Sequence, residues 1–301
     1  MALNIKYGVS TWLWTSPFST QSINELFPKI AQIGFDIVEI AVEDPALIDV
    51  KKVKSALDDH GLKASICGAF GSSRDLTNES KQVQQNGLSY IESCLDICVE
   101  MGVDFFGGPM YSAVGKARML KPDERKAEWD LAVKNLQTVC EMAAARNLKI
   151  ALEPLNRFES DLINNTNDVL RMINDINHPA ANVMLDSFHM SIEERDVERA
   201  IVSAGDKLIH LQVSENYRGA PGSGQTPWYA YKKGLEAINY KGIVTIESFT
   251  TDNVELAGAV CFWTPKAESQ DAFAIDGLRF LKNWAAEEIH TAPPISLNST
   301  F

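Results

Sequence analysis

Lys149-Ile150-Ala151-Leu152-Glu153-Pro154 is a short apolar run that stops in one carboxylate and is closed by a proline, which has no N–H with which to extend a strand ladder. Asn182-Val183-Met184-Leu185-Asp186 and Val244-Thr245-Ile246-Glu247 repeat the pattern. Working outward from these three, similar short runs occur at 5–11, 37–41, 64–67, 105–107 and 208–213. Between them lie amphipathic stretches at 22–33, 50–60, 82–101, 124–147, 168–176, 192–204 and 228–238, with a last one at 271–288. Strand and helix alternating in this way predict a parallel sheet, and closure into a barrel leaves that sheet without an edge. The expected fold is α/β, a single (β/α)8 TIM barrel over residues 1–291. A tail at 292–301 follows, where Pro293 and Pro294 cannot continue the last helix.

Composition narrows the function. Of the 301 residues 45% are hydrophobic and 23% charged, enough to bury a large core, and no apolar run approaches the roughly 18 residues of a membrane helix. The first residues show no charged segment followed by an apolar stretch and a cleavage site, so a cytoplasmic protein is expected. Five cysteines without CxxC spacing read as buried thiols. A net charge of −12, with scattered lysines and arginines, argues against nucleic acid as a partner.

In such barrels the loops after the strands build the active site, so polar residues at the C-terminal strand ends carry chemical meaning. Glu153, Asp186 and Glu247 occupy three such ends. Any one of them has a bland reading, as a cap for the next helix or a partner for a lysine. Three aimed into one dry mouth repel one another, and a shared divalent cation relieves that repulsion. Oxygen-rich ligation suits Mn²⁺ or Mg²⁺, with Co²⁺ acceptable. On the strand at 208–213, alternation places His210 and Gln212 on one face. Trp12 and Trp14, after the first strand, offer walls for the apolar face of a sugar.

Several dispersed motifs resemble the ketose 3-epimerases, among them the D-tagatose and D-allulose 3-epimerases, of the xylose-isomerase-like barrels. They are Leu152-Glu153-Pro154-Leu155-Asn156-Arg157-Phe158-Glu159, Asn164-Asn165-Thr166, Leu185-Asp186-Ser187-Phe188-His189-Met190, Ser214-Glu215-Asn216-Tyr217-Arg218-Gly219, Ile246-Glu247-Ser248-Phe249, and the stretch from Gly108 to Gly115. The resemblance implies one metal ion held at Glu153, Asp186, position 212 and Glu247. It further implies Glu153 and Glu247 as the opposed proton-transfer groups, and Glu159, His189 and Arg218 as substrate-binding residues; Trp14 is added as a wall. In the family the ligand at position 212 is the second histidine of a His-x-His pair, whereas this chain keeps only His210 and has Gln212. Three expectations follow for Gln212: ligation through its amide oxygen, an indirect contact, or a ligand position left empty. His210 lies two residues deeper, roughly 6 to 7 Å away by strand rise, and would need a change of register.

The implied activity is C3 epimerisation of a free ketose through a cis-enediolate. A metal-dependent dehydratase or eliminase acting on an inosose or 3-keto sugar is the competing enzyme class, and a sugar-binding or regulatory barrel the non-enzyme one. An abasic-site endonuclease would require a histidine-rich site and a basic face, which the sequence lacks. The expected partners are a small polyhydroxylated substrate and further copies of the chain, as a homodimer or homotetramer.

Overall fold

In the computed structural model, which describes residues 3–287, the apolar runs are the parallel strands β1 (Lys6–Ser10), β2 (Ile37–Val42), β3 (Lys63–Gly68), β4 (Phe105–Gly108), β5 (Lys149–Leu152), β6 (Ala181–Asp186), β7 (Leu208–Val213) and β8 (Ile243–Ile246). Each pairs with the next and β8 returns to β1, closing the (β/α)8 barrel that the alternation predicts. The expected tail, 292–301, lies outside the described residues.

The helices are α1 (Ile23–Ile33), α2 (Val50–Asp59), α3 (Lys81–Met101), α4 (Pro122–Ala144), α5 (Thr166–Ile176), α6 (Ser187–Glu193), α7 (Val197–Ala204), α8 (Trp228–Ala237), α9 (Val254–Ala259) and α10 (Gln270–Ala286). Local chemistry sets many of their limits. Asp49, Asn165, Asp196, Asn253 and Ser269 accept from free N–H groups at the starts of α2, α5, α7, α9 and α10. The stretch at 192–204, expected as one helix, is divided. Asp186 caps a helix that begins at once after β6, and Asp196 caps a second one. Among the described residues α9 is a further addition, between β8 and α10.

Alternation along the strands creates two interiors. Val38, Ile40 and Val42 on β2, with Ile150 and Leu152 on β5 and Val244 and Ile246 on β8, join the large core shared with the helices. The lumen is narrower and is plugged by Phe105, Ala151 and Met184. Gly107 leaves room for that plug, since a Cβ there would stand 2.9 Å from Met184 Sδ. The plug supports a layer of polar side chains at the C-terminal ends of the strands, and this layer is the floor of the mouth.

A buried lysine ties α8 to α10. Lys232 on α8, 3% exposed, donates to the carbonyls of Trp284 at 2.7 Å and Ala285 at 3.3 Å, and to that of Glu287, at the end of α10. Trp284 returns a bond from Nε1 to the Trp228 carbonyl at 2.8 Å. Lys232→Met keeps the stem and removes the donors, leaving buried carbonyls unsatisfied. It is expected to cost about 1–3 kcal/mol, read as a lower urea midpoint with unchanged far-UV circular dichroism.

Candidate active site

Glu153 is the first residue after β5, Asp186 the last of β6, Gln212 the fifth of β7 and Glu247 the first after β8; all four are buried. The register sets Asp186 beside Gln212 and Gln212 beside Thr245. Asp186 combines two roles that the sequence left as alternatives. Its Oδ1 caps α6 through Phe188 N at 2.6 Å and His189 N at 3.2 Å, while Oδ2 faces the site.

Arg218 joins two of these carboxylates, donating from one guanidinium nitrogen to Asp186 Oδ2 at 2.8 Å and Glu247 Oε2 at 2.9 Å. Its guanidinium carbon lies 4.2 Å from the Phe188 ring centroid and 5.1 Å from that of Phe249, so water is held off. A tight loop delivers it. Arg218 has φ of +63°, an uncommon conformation for a side chain with a Cβ, and its N–H and carbonyl are tied to Glu215 O at 2.8 Å and Ser248 Oγ at 2.8 Å. Glu215 is the buried hub of that loop. Its carboxylate accepts from Gly222 N at 2.7 Å, Thr226 N at 2.9 Å and Trp228 Nε1 at 2.8 Å.

The electrostatics follow from burial. Loss of water pushes the Glu153 carboxyl well up, and the charges of Glu247 and Asp186 push it further. Glu247 is raised by burial too, although Arg218 opposes the shift. For Asp186, burial acts upward but Arg218 and His189 prevail and hold it below its ordinary value. Arg218 is thus one permanent cation set against the buried acids Glu153, Asp186 and Glu247, with a fourth, Glu39, behind them. The donor set has the charge and oxygen chemistry of a divalent-cation site. Glu153, Asp186 and His189 bring potential ligand atoms within 4.8 Å of one another.

His189 is held from both ring nitrogens. The Asn156 backbone N–H, which can only donate, points at Nδ1 at 3.1 Å. On its other side Nε2 lies 3.3 Å from Arg218 Nη2 and 3.6 Å from Glu153 Oε1. Burial lowers the His189 pKa, favouring the neutral ring. Asn156 also donates from its side chain to Glu159 Oε1 at 2.7 Å, so Glu159, Asn156 and His189 form one linked edge of the cavity.

Gln212 is a hydrogen-bond donor here. Nε2 reaches Glu39 Oε1 at 2.7 Å and Glu247 Oε1 at 2.9 Å, while its buried Oε1 has no partner. Ligation through Oε1 would require the amide to turn over and break both bonds. His210 stays below the site with Nε2 2.6 Å from Glu39 Oε2. The register irregularity of β7 falls deeper, between the partners of Val183 and Met184, and leaves His210 opposite Met184.

The cavity above this layer has a volume of about 720 Å³. Glu153, Glu159, His189, Arg218 and Glu247 line its inner part, and Trp12, Glu43, Arg74 and Asn253 are among the residues of its outer part. Trp14 is not a wall. The 3-10 turn Thr11–Leu13 carries it outward to bond Asp271 Oδ1 at 2.7 Å, and Trp12 lines the cavity instead. Sequence reasoning also passed over Glu39, although a lone acid inside the wholly buried Ile37–Val42 strand was a visible signal.

Comparison with known proteins agrees with the fold. A family model described as a xylose isomerase-like TIM barrel matches residues 27–284. A protein named probable ketose 3-epimerase from Synechocystis sp. is 32% identical, over 92% of this chain and 96% of its own. The 3-dehydro-D-guloside 4-epimerase of Escherichia coli is 31% identical over 76% of this chain and 88% of its own. The crystal structure of a D-allulose 3-epimerase from Methylomonas sp. in complex with D-allulose superposes with a TM-score of 0.87 at 27% identity, covering 94% of this chain and 99% of that one.

The Glu215 hub carries a pH dependence. Burial alone would raise this carboxyl, but its bonds from Trp228, Thr226 and Gly222 outweigh burial and hold it below its ordinary value. The native state therefore binds this proton less readily than the unfolded chain. The hub's contribution is complete above the ordinary value of about 4.3 and is lost as pH falls through the lower native value. Glu215→Gln should remove that part of the acid dependence and cost about 1–3 kcal/mol at neutral pH, measured as urea midpoints for both proteins between pH 3 and 7.

Proposed function

Because the chain belongs to the xylose isomerase-like TIM-barrel family, and within it to the ketose 3-epimerases, we propose that this carbohydrate epimerase inverts C3 of a free ketose through a cis-enediolate, with Glu153 and Glu247 as the two proton-transfer groups. The observation that supports this most is the convergence of these two buried carboxylates on one cavity from strand ends three places apart around the barrel. Epimerisation beside a carbonyl needs a base on one face of the carbon and an acid on the other. One glutamate takes the C3 proton and the other, carrying a proton, returns one to the opposite face. The roles exchange for the reverse epimer. The Arg218 guanidinium and the His189 ring are polar groups suited to hold the enediolate oxygens, and Glu159 orients His189 through Asn156.

The acids fit a divalent ion, Mn²⁺ or Mg²⁺ with Co²⁺ acceptable, held by Glu153, Asp186 and Glu247 with Gln212 as fourth ligand once its amide turns over. Bound there, it supplies Lewis-acid polarisation of the ketose carbonyl. The relatives named above are epimerases, which disfavours the elimination and non-enzyme readings. We take the protein to act in the cytoplasm, where its five unpaired cysteines stay reduced. We take it to act as a homodimer or homotetramer, since Met119 and Phe158 are exposed on loops joined by the Lys116–Ser160 bridge.

Glu153→Gln and Glu247→Gln are each expected to abolish deuterium incorporation from D₂O at C3 of a ketose, followed by NMR; retained exchange in either variant removes that glutamate from proton transfer. Gln212→His is expected to tighten Mn²⁺ binding about tenfold, measured by electron paramagnetic resonance of free Mn²⁺. An unchanged affinity means that position 212 does not ligate.

A further inference from the structure

Glu39 is 1% exposed and stands behind the cavity rather than in its lining. Its carboxylate is held at both ends. Oε2 accepts from Ser65 Oγ on β3 at 3.3 Å and lies 2.6 Å from His210 Nε2 on β7, where the Phe105 ring packs on the imidazole with centroids 5.1 Å apart. Oε1 accepts from Gln212 Nε2 at 2.7 Å. A carboxylate fixed in this way offers the Gln212 amide an acceptor and nothing else.

The amide gives its N–H groups to two acids, the second being Glu247 Oε1 at 2.9 Å, and leaves its own Oε1 buried without a partner. An orphaned buried oxygen is costly, so the two carboxylates decide the orientation. Turned over, the amide would set an oxygen where Nε2 now stands, against Glu39 Oε1 and Glu247 Oε1. A cation shared by Gln212 and Glu247 relieves one of those contacts. It leaves the other, because Glu39 is anchored on Ser65 and His210 and faces the amide from behind the cavity.

We propose that Glu39 is a positioning residue of the cation centre: it holds Gln212 in the donor orientation and so opposes ligation by the Gln212 oxygen. The protein itself orders the metal-free centre, and a metal gains its fourth ligand only by displacing the bond between Gln212 and Glu39. This rests on the reading of Gln212 as a ligand given above and does not require the epimerase chemistry.

The test compares Mn²⁺ dissociation constants, from electron paramagnetic resonance of free Mn²⁺, for the native protein, Glu39→Asp, Gln212→Met and the double variant. Aspartate keeps the buried charge and withdraws it by one methylene from Nε2. Glu39→Asp should bind Mn²⁺ about tenfold more tightly than the native protein. The same change made in Gln212→Met should alter the affinity by less than about twofold. Shortening a residue that merely supports the fold would weaken binding instead. The proposal is overturned if Glu39→Asp leaves Mn²⁺ binding unchanged, weakened or absent, or if it tightens binding equally with and without the Gln212 amide. A second measurement needs no variant. In native crystals equilibrated with Mn²⁺ the contact from Gln212 to Glu39 should lengthen from 2.7 Å to beyond hydrogen-bond distance; a contact kept at its present length beside bound Mn²⁺ overturns the proposal. Deuterium exchange at C3 of D-fructose separates the two readings. If affinities and contact change as expected but nothing exchanges, the role of Glu39 stands and the epimerase reading falls. If D-fructose exchanges while the Glu39 and Gln212 changes act independently, the epimerase reading stands and the role of Glu39 falls.

Discussion

Buried negative charge is the constraint around which the barrel mouth is organised. Glu153, Asp186 and Glu247 leave water together at the ends of β5, β6 and β8, and carboxylates so placed persist only with protons, donors or cations beside them. Arg218 is the resident cation, and its position requires a loop in which a non-glycine residue adopts positive φ. That conformation holds because Glu215, at the root of the loop, satisfies three N–H donors from inside. The strand ends, the loop and the guanidinium therefore form one electrostatic unit.

Gln212 takes part in this balance in a way a histidine ligand would not. A neutral amide with two N–H donors bridges Glu39 and Glu247, placing hydrogen-bond donation where the resemblance implies a metal ligand. The amide thereby gives Glu247 a neutral hydrogen-bond donor beside the Arg218 charge. His210, though kept, does not compensate: it sits opposite Met184, against Glu39 and the Phe105 ring, one layer too deep.

The fold was legible because a parallel barrel writes a strong signal, with short apolar runs alternating with amphipathic helices and one acid closing each of three runs. The split of 192–204 into α6 and α7 escaped that reading because periodicity does not register a cap in mid-stretch, and Asp196 supplies one. Within the site, strand alternation located Glu153, Asp186, Gln212 and Glu247, since position along a strand determines where a side chain is presented. Trp14 failed because it follows the strand, where the 3-10 turn, rather than alternation, decides direction. Orientation within a side chain was equally out of reach. Which end of the Gln212 amide faces the acids, and how the His189 ring is turned, depend on Glu39 and the Asn156 N–H, partners 173 and 33 residues away in sequence.

Central to this account is that the three strand-end acids are one cation-binding centre in which Arg218 stands as the resident counter-charge. Anomalous diffraction from crystals equilibrated with Mn²⁺ tests this most directly. The account predicts a single peak among Glu153, Asp186 and Glu247, with the Arg218 guanidinium no longer bridging Asp186 and Glu247. Absence of a peak at saturating Mn²⁺, with Arg218 still seated between the two carboxylates, would contradict it.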